Sequence, residues 1–214
     1  MISSRSTRRP SRAGWSAEGS VPSPPRAATV SPRPWRPTRE EIAAARGRKV
    51  PDVIAPGLVV LFCGINPGLY SGAVGHHFAR PGNRFWKALH GSGFTDRVLS
   101  PFEERTLLEQ GLGITNIVER ATSGADELTK SELILGARRL ERKICRLFPR
   151  FVAFLGVTAF RTALHRPKAG VGSQPEELCG ARLWLLPNPS GRSAHYQLPA
   201  LTGAFRELRA ATLA

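Results

Sequence analysis

Acidic residues are scarce in this sequence, which has 16 Asp and Glu against 31 Lys and Arg and a formal net charge of +15. This excess of positive charge points to a polyanionic partner, either nucleic acid or an anionic membrane surface. No apolar run approaches the roughly 20 residues of a membrane-spanning helix, and the amino terminus lacks the apolar core of a signal peptide. We therefore expect a nucleic-acid partner, no membrane partner, and a cytoplasmic, nucleoid-associated protein.

Cysteines and cofactor motifs are also few. Cys63, Cys145 and Cys179 are too few and too widely spaced for a four-cysteine iron–sulfur cluster, and sparse thiols in odd number are typical of a reducing compartment. No Walker loop, Gly-x-Ser-x-Gly elbow or Gly-x-Gly-x-x-Gly turn follows a predicted strand. The side chains of the adjacent His76 and His77 point apart, and no third ligand is near. We expect neither a metal nor a cofactor, and we expect both histidines to line the mouth of a pocket.

Apolar runs alternate with helix signals along most of the chain. Four runs predict buried strands: 58–63, 113–118, 151–156 and 181–186. Capping boxes predict helix starts at Thr38, Ser100 and Thr129, and further helices are predicted at 157–165 and 199–213. Such alternation predicts a three-layer α/β/α fold around a central, mainly parallel, four-stranded sheet.

The first 39 residues differ in composition from the rest of the chain. They hold eight arginines and a single acid, a formal charge of +7, together with many Ser and Pro and few aliphatic residues. Such a segment buries too little apolar surface to offset its ordering entropy. We therefore expect residues 1–39 to be a disordered basic tail and residues 40–214 to be one folded domain. The tail could tether the protein to DNA without sequence preference; alternatively it is dispensable, or the start codon is misassigned.

Two of the predicted strands end in similar turns. The first runs into Gly64-Ile-Asn-Pro-Gly68, and the last runs into Pro187-Asn-Pro-Ser-Gly191. Proline fixes its own φ and restricts the preceding residue, so each turn would hold an asparagine rigidly at the carboxyl end of a strand. Ligands bind at that edge of an open α/β sheet. The pattern predicts two loops that face one pocket.

Three motifs in order carry a family resemblance. Together with Gly64–Gly68 and Asn188–Gly191, the segment Phe78-Ala-Arg-Pro-Gly-Asn-Arg-Phe-Trp86 resembles the mismatch-specific uracil/thymine DNA glycosylases, family 2 of the uracil-DNA glycosylase superfamily. The resemblance extends from about residue 54 to about residue 208. It implies an enzyme that flips a base out of DNA and cleaves its N-glycosidic bond.

The resemblance also implies roles for residues of the first two motifs. Asn66 would position a water against the sugar C1′, because an amide has no protonation equilibrium with which to act as a base near neutral pH. Phe78 would be the stacking plate under the flipped base. The backbones of Ile65 and Gly68 would contact the pyrimidine edge, and Ser71 could add a hydrogen bond.

Further candidates lie in two other loops. Asp126 follows the second strand and could supply a carboxylate, although a surface acid flanking a helix is the alternative. Asn188 would support the pocket or contact the sugar-phosphate backbone. The loop after it would bind DNA, with Arg192 at a tip where some family members carry Leu: Pro189, Ser190, Gly191, Arg192 and Ser193. Arg80, Arg84 and Lys87 are candidate phosphate contacts, and Arg84 could equally lock a helix onto the sheet.

These expectations define a monofunctional glycosylase that excises uracil from mispairs with guanine and leaves an abasic site, with thymine and other damaged bases as further candidate substrates. It would act as a monomer on double-stranded DNA and hand its product to abasic-site repair enzymes. Two alternatives remain open: a non-catalytic protein that binds damaged DNA, and a single-strand-selective uracil glycosylase of a sister family.

Overall fold

The structure, a computed structural model, describes residues 36–191 and 196–214, and Arg36–Ala214 form one compact unit. The unit begins four residues before the predicted domain start, since Thr38 caps the first helix. Residues 1–35 of the predicted tail lie outside the described residues. No helix in the described part of the chain is both long and apolar enough to cross a membrane.

A five-stranded sheet with strand order β2-β1-β3-β5-β4 forms the centre of the fold. Its strands are β1 (Val60–Gly64), β2 (Leu112–Asn116), β3 (Phe151–Leu155), β4 (Gly172–Leu178) and β5 (Ala181–Leu186). The pairs β1–β2, β1–β3 and β3–β5 are parallel. Every residue of β1, β2 and β3 is buried, which explains why these strands appear in the sequence as continuous runs.

The predicted strand count of four is wrong, because β4 is a fifth strand that pairs antiparallel with the edge of β5. Its residues alternate between exposed and half-buried, and it includes Pro175 and two glutamates. An edge strand needs a ladder partner on one side only, so it tolerates proline and charge that a central strand does not. The segment therefore lacks the apolar run by which the other strands were predicted.

Helices cover both faces of the sheet. The α-helices are α1 (Arg39–Ala44), α2 (Leu69–Val74), α3 (Phe85–Gly91), α4 (Lys130–Leu147), α5 (Val157–Ala163) and α6 (Leu198–Leu213), and two 3-10 helices span Pro101–Gln110 and Ala125–Glu127. One face packs mainly against α3 and α6, and the other against α4 and α5. The three predicted capping boxes are present, but the one at Ser100 opens a 3-10 helix.

Two of the three cysteines are joined, which corrects the expectation of free thiols. Cys145 on α4 and Cys179 in the β4–β5 turn form a disulfide, with their Cα atoms 5.1 Å apart, while Cys63 is free and buried in β1. The pair joins residues 34 positions apart, a proximity created by the edge hairpin that was not predicted. The bond links that hairpin to α4.

We predict that reduction of Cys145–Cys179 lowers the free energy of unfolding by about 3 to 4 kcal/mol, the chain-entropy value for a loop of this length. Denaturant unfolding with and without reductant measures the difference. The matched control is the double variant Cys145→Ser/Cys179→Ser, in which reductant should have no effect. Equal unfolding curves for the native chain in both conditions would show that the bond does not form in solution.

Candidate active site

A cleft of about 340 Å³ opens at the carboxyl end of β1. In the sheet, β2 lies on one side of β1 and β3 lies on the other, so the strand order reverses at β1. Such a topological switch point is where ligands bind in open α/β sheets. The predicted site residues that line it are Ile65, Asn66, Gly68, Ser71, Phe78, Asp126, Asn188 and Ser190. The two Asn-Pro turns thus share one pocket, as the sequence predicted.

Gly64 lies at the floor of the cleft, where the end of β1 meets Asn116 and the Phe78 ring. It pairs in register with Asn116 at the end of β2. A Cβ atom at Gly64 would lie 2.4 Å from Asn116 Oδ1 and 3.3 Å from the Phe78 ring. Any side chain at this position would displace the amide and press on the ring, so the absence of a side chain is what creates the pocket floor.

The amide of Asn66 is held in one orientation. Its Nδ2 donates to the carbonyl oxygens of Pro67 and Arg120, at 3.2 and 3.1 Å, and to the hydroxyl of Thr122 at 2.7 Å. Because the two carbonyl groups can only accept, the nitrogen must face them. The oxygen Oδ1 has no hydrogen-bond partner among the described residues and is the atom left for a ligand in the cleft.

Thr122 completes this support. It is fully buried, and its hydroxyl donates to Gly124 O at 2.7 Å while it accepts from Asn66. Its backbone N–H donates to Pro67 O at 3.1 Å, which joins the loop after β2 to the turn after β1. Arg120 is fixed in turn by a bidentate ion pair with Glu132, whose pKa falls to about 2 because of the guanidinium hydrogen bonds.

Phe78 forms one wall of the cleft as a supported aromatic plate. Its ring stacks on Phe85, with centroids 4.2 Å apart and planes 26° apart, and Phe85 is itself packed edge-on against Phe62. Phe78 has a φ of +53°, a conformation that costs energy for a bulky residue and is found mainly where the surrounding structure enforces it. Part of that enforcement comes from Ser71, whose Oγ accepts from Ala79 N at 3.1 Å.

His77 and Asn116 form a buried hydrogen-bonded pair that was not predicted from the sequence. His77 Nε2 lies 3.0 Å from Pro51 O, which can only accept, so this nitrogen carries the proton. The other ring nitrogen, Nδ1, therefore accepts from Asn116 Nδ2 at 3.3 Å. Burial lowers the pKa of His77, which favours this neutral form. His77 lies in the cleft wall, 2 % exposed, and not at its mouth as expected.

Glu104 supports the same wall from behind. This buried carboxylate accepts from His77 N at 2.8 Å and contacts His76 Nδ1 at 2.9 Å. The two histidine rings thus point to different partners. Within residues 36–191 and 196–214, no group of three or more His, Cys, Asp or Glu is placed to hold a metal ion.

The rim of the cleft carries the acidic candidate. Asp126 is exposed in the 3-10 helix Ala125–Glu127. Its neighbour Glu127 instead pairs with Arg46 and accepts from Ser123, and these hydrogen bonds lower its pKa to about 2. Glu127 is therefore a structural brace for the rim, whereas Asp126 is exposed to solvent while it lines the cleft.

The second Asn-Pro turn is held by its own amide and by Arg84. Asn188 Oδ1 accepts from Ser190 N at 2.9 Å. Pro189 is buried, and its carbonyl accepts from Arg84 N at 3.0 Å. The Arg84 guanidinium donates to Ser190 O and Tyr196 O, so it binds the backbone before and after residues 192–195. Arg84 thus joins this loop to the start of α3, which is the second of the two roles expected for it.

The remaining predicted DNA contacts lie at the edge of the cleft or outside the described residues. Gly191 is exposed, and a Cβ there would lie 2.7 Å from Gly82 O, so the two loops touch through backbone. Arg80 is exposed at the cleft. Arg192 and Ser193 lie outside the described residues.

Comparison with known proteins identifies the family of this chain. The family model of the Uracil DNA glycosylase superfamily matches residues 51–211. The chain belongs to this superfamily. Membership supports a hydrolase that acts on DNA as a DNA glycosylase.

A solved structure supports the fold. A protein from Methanosarcina acetivorans, determined by solution NMR and described as a candidate uracil DNA glycosylase, is similar with a TM-score of 0.50 and 20% sequence identity. The similarity covers 76% of this chain and 98% of that one. At this identity the likeness speaks for the α/β architecture alone.

We predict that Thr122→Val lowers the rate of base excision about tenfold to a hundredfold, because the isosteric side chain removes the acceptor that holds Asn66 Nδ2. Single-turnover excision, with DNA affinity measured in parallel, gives the effect. Thr122→Ser keeps the hydroxyl and should retain most of the rate. A Thr122→Val protein with weakened DNA binding but unchanged excision would show that Thr122 does not act through Asn66.

Proposed function

We propose that this protein is a monofunctional glycosylase that excises uracil from mispairs with guanine in double-stranded DNA and leaves an abasic site. The observation that carries the proposal is the fixed amide of Asn66, whose free oxygen shares a small cleft with the Phe78 plate. A protein that only bound DNA would have no need of a water-positioning group beside a stacking plate.

The bond broken joins N1 of the base to C1′ of the deoxyribose. Asn66 Oδ1 accepts one hydrogen of a water molecule and so turns a lone pair of that water toward C1′. As the N1–C1′ bonding electrons leave with the base, the water oxygen bonds to C1′ and its proton is released to solvent or to the departing base. Because this scheme uses orientation and fixed dipoles, it needs no general base of shifted pKa.

The buried pair His77–Asn116 supports a preference for a keto pyrimidine. Since Asn116 Nδ2 is committed to His77 Nδ1, the amide presents Oδ1 as an acceptor beside Gly64. Uracil and thymine carry an N3–H donor that suits this acceptor, whereas cytosine carries an unprotonated N3. The backbones of Ile65 and Gly68 would contact the same base; the Ile65 carbonyl already accepts from Val118 N at 2.9 Å, so its N–H is the group we assign to the base.

The remaining assignments rest on family resemblance and position. Ser71 and Asn188 would support the base pocket, and the loop that includes Ser190 and Arg192 would contact DNA and the orphaned guanine. Asp126 lines the cleft but is exposed, so we assign the water to Asn66 alone. The basic segment 1–39 would act as a DNA tether, and the protein would work as a monomer near the nucleoid, ahead of abasic-site repair enzymes.

The first test is an excision assay without added metal on duplexes with one G:U, A:U or G:T pair and on single-stranded uracil DNA. We expect alkali-labile sites to form faster with G:U than with A:U. Preference for single strands would instead support a sister-family activity. Tight binding of all four substrates without cleavage of any would support the non-catalytic alternative.

Variants in the cleft test the mechanism. Asn66→Ala should reduce excision by at least about a hundredfold, because the water loses its orienting acceptor, and should keep DNA affinity. Asp126→Asn removes a charge at the cleft but leaves the Asn66 amide intact, so it should reduce excision by less. Unchanged base release by Asn66→Ala would rule out the water-positioning role of this amide.

We further predict a pH profile with an acidic limb below pH 6.5, the ordinary pKa of histidine. Burial lowers the pKa of His77, so the neutral ring persists until the pH falls below that value. Protonation then removes the acceptor that orients Asn116, and uracil excision should decline. His77→Asn keeps an acceptor without a titrating ring, so an acidic limb that persists unchanged in this variant would assign it to another group.

A further inference from the structure

One face of α4 carries a concentration of positive charge that the cleft does not use. The helix buries the opposite face, which consists of Leu133, Gly136, Ala137, Leu140, Ile144 and Leu147. Its outer face presents four exposed arginines, which we call the arginine ladder: Arg138, Arg139, Arg142 and Arg146. At 1.5 Å per residue, the ladder extends for about 12 Å along the helix axis.

None of the ladder arginines forms an ion pair with a described residue. Two nearby basic residues differ in this respect, because Lys143 pairs with Asp52 and Arg120 pairs with Glu132. Glu141 is the exposed acid beside the ladder on α4, and within the described chain it makes no ion pair with a ladder residue either.

The spacing within the ladder disfavours the isolated helix. Arg138, Arg142 and Arg146 follow one another at intervals of four residues, and like charges at this spacing repel on a helix surface. Only Arg146 lies in the last turn, where a cation is favoured by the helix dipole. A polyanion bound along this face of α4 would attract the arginines and so offset the repulsion between them.

The ladder lies away from the cleft. The amino terminus of α4 follows the loop at the carboxyl end of β2, and the helix then runs back toward the start of β3. The first ladder residue is therefore eight residues, about 12 Å, beyond the start of α4 on the outer layer. DNA held at the cleft and an anion on the ladder would occupy different parts of the surface.

We propose that the arginine ladder is a second, sequence-independent binding site for the phosphate backbone of double-stranded DNA. Guanidinium groups spaced over about 12 Å can contact successive phosphates of one strand, and Arg binds phosphate in bidentate fashion. This site would hold a second DNA segment, or a distant part of the same molecule, while the cleft searches for a lesion. It does not depend on the excision activity proposed above.

The test measures affinity for an undamaged duplex over a series of salt concentrations. The variant Arg138→Gln/Arg142→Gln/Arg146→Gln is compared with Arg48→Gln/Arg105→Gln/Lys168→Gln, which removes three exposed cations that form no ion pair in the described region. Each variant lowers the formal charge by three. The slope of log K against log salt should become shallower by about 2 to 3 in the ladder variant, at about 0.9 per phosphate contact, and by less than about 1 in the control.

A second measurement separates this proposal from the proposed function. Excision from a short duplex that carries one lesion should change by less than about twofold in the ladder variant, because the cleft is intact. Glutamine is a good helix former, so thermal unfolding followed by circular dichroism should confirm a folded α4. Equal changes of slope in the two variants would overturn the proposal. So would ladder-dependent binding to phosphatidylserine vesicles with no effect on the DNA slope, since that result would assign the ladder to an anionic membrane surface.

Discussion

The site depends on the parallel pairing of β1 with β2 at their last residues. Gly64 lies opposite Asn116 there, and the lack of a side chain at Gly64 lets the Asn116 amide and the Phe78 ring reach the same small space. The same register brings the loop after β2 against the turn after β1, where Arg120 O and Thr122 hold Asn66. A slip of register by one residue would exchange the faces of β2 and separate every one of these contacts.

Charged side chains brace the loops around the cleft through hydrogen bonds. Arg84 joins the second Asn-Pro turn to the start of α3, Glu132 fixes Arg120, and Glu104 fixes the backbone that leads to Phe78. These charged groups lie at the edge of the site, while the groups that would face the base under the proposed function are uncharged amides and a phenyl ring. The charged side chains therefore hold the loops in position, and the proposed mechanism depends on that position.

Elements whose formation depends on a short segment of sequence could be predicted from it. Buried central strands and capped helices follow from short apolar runs and from Ser or Thr three residues before Glu, so β1, β2, β3, β5 and the start of α4 could be predicted. Strand β4 could not, since an edge strand needs no apolar run. The His77–Asn116 pair could not either, because it joins residues 39 positions apart through strand register and a loop with a strained φ. The strand-end position of Asn116 was the available signal, since the same argument had selected Asn66.

The proposed mechanism relies on an uncharged amide, and this places a particular demand on the structure. A carboxylate base would tolerate some displacement, because the attraction between charges falls slowly with distance, but an amide oxygen acts on a water only through a hydrogen bond of limited length and angle. Three donor contacts from Asn66 Nδ2 supply that precision, and their acceptors come from residues up to 56 positions away. Under the proposed mechanism, the rate of excision should therefore depend on the packing of these loops as well as on Asn66. Substitutions that loosen the loop after β2 should resemble loss of Asn66 itself, although they contact neither water nor base.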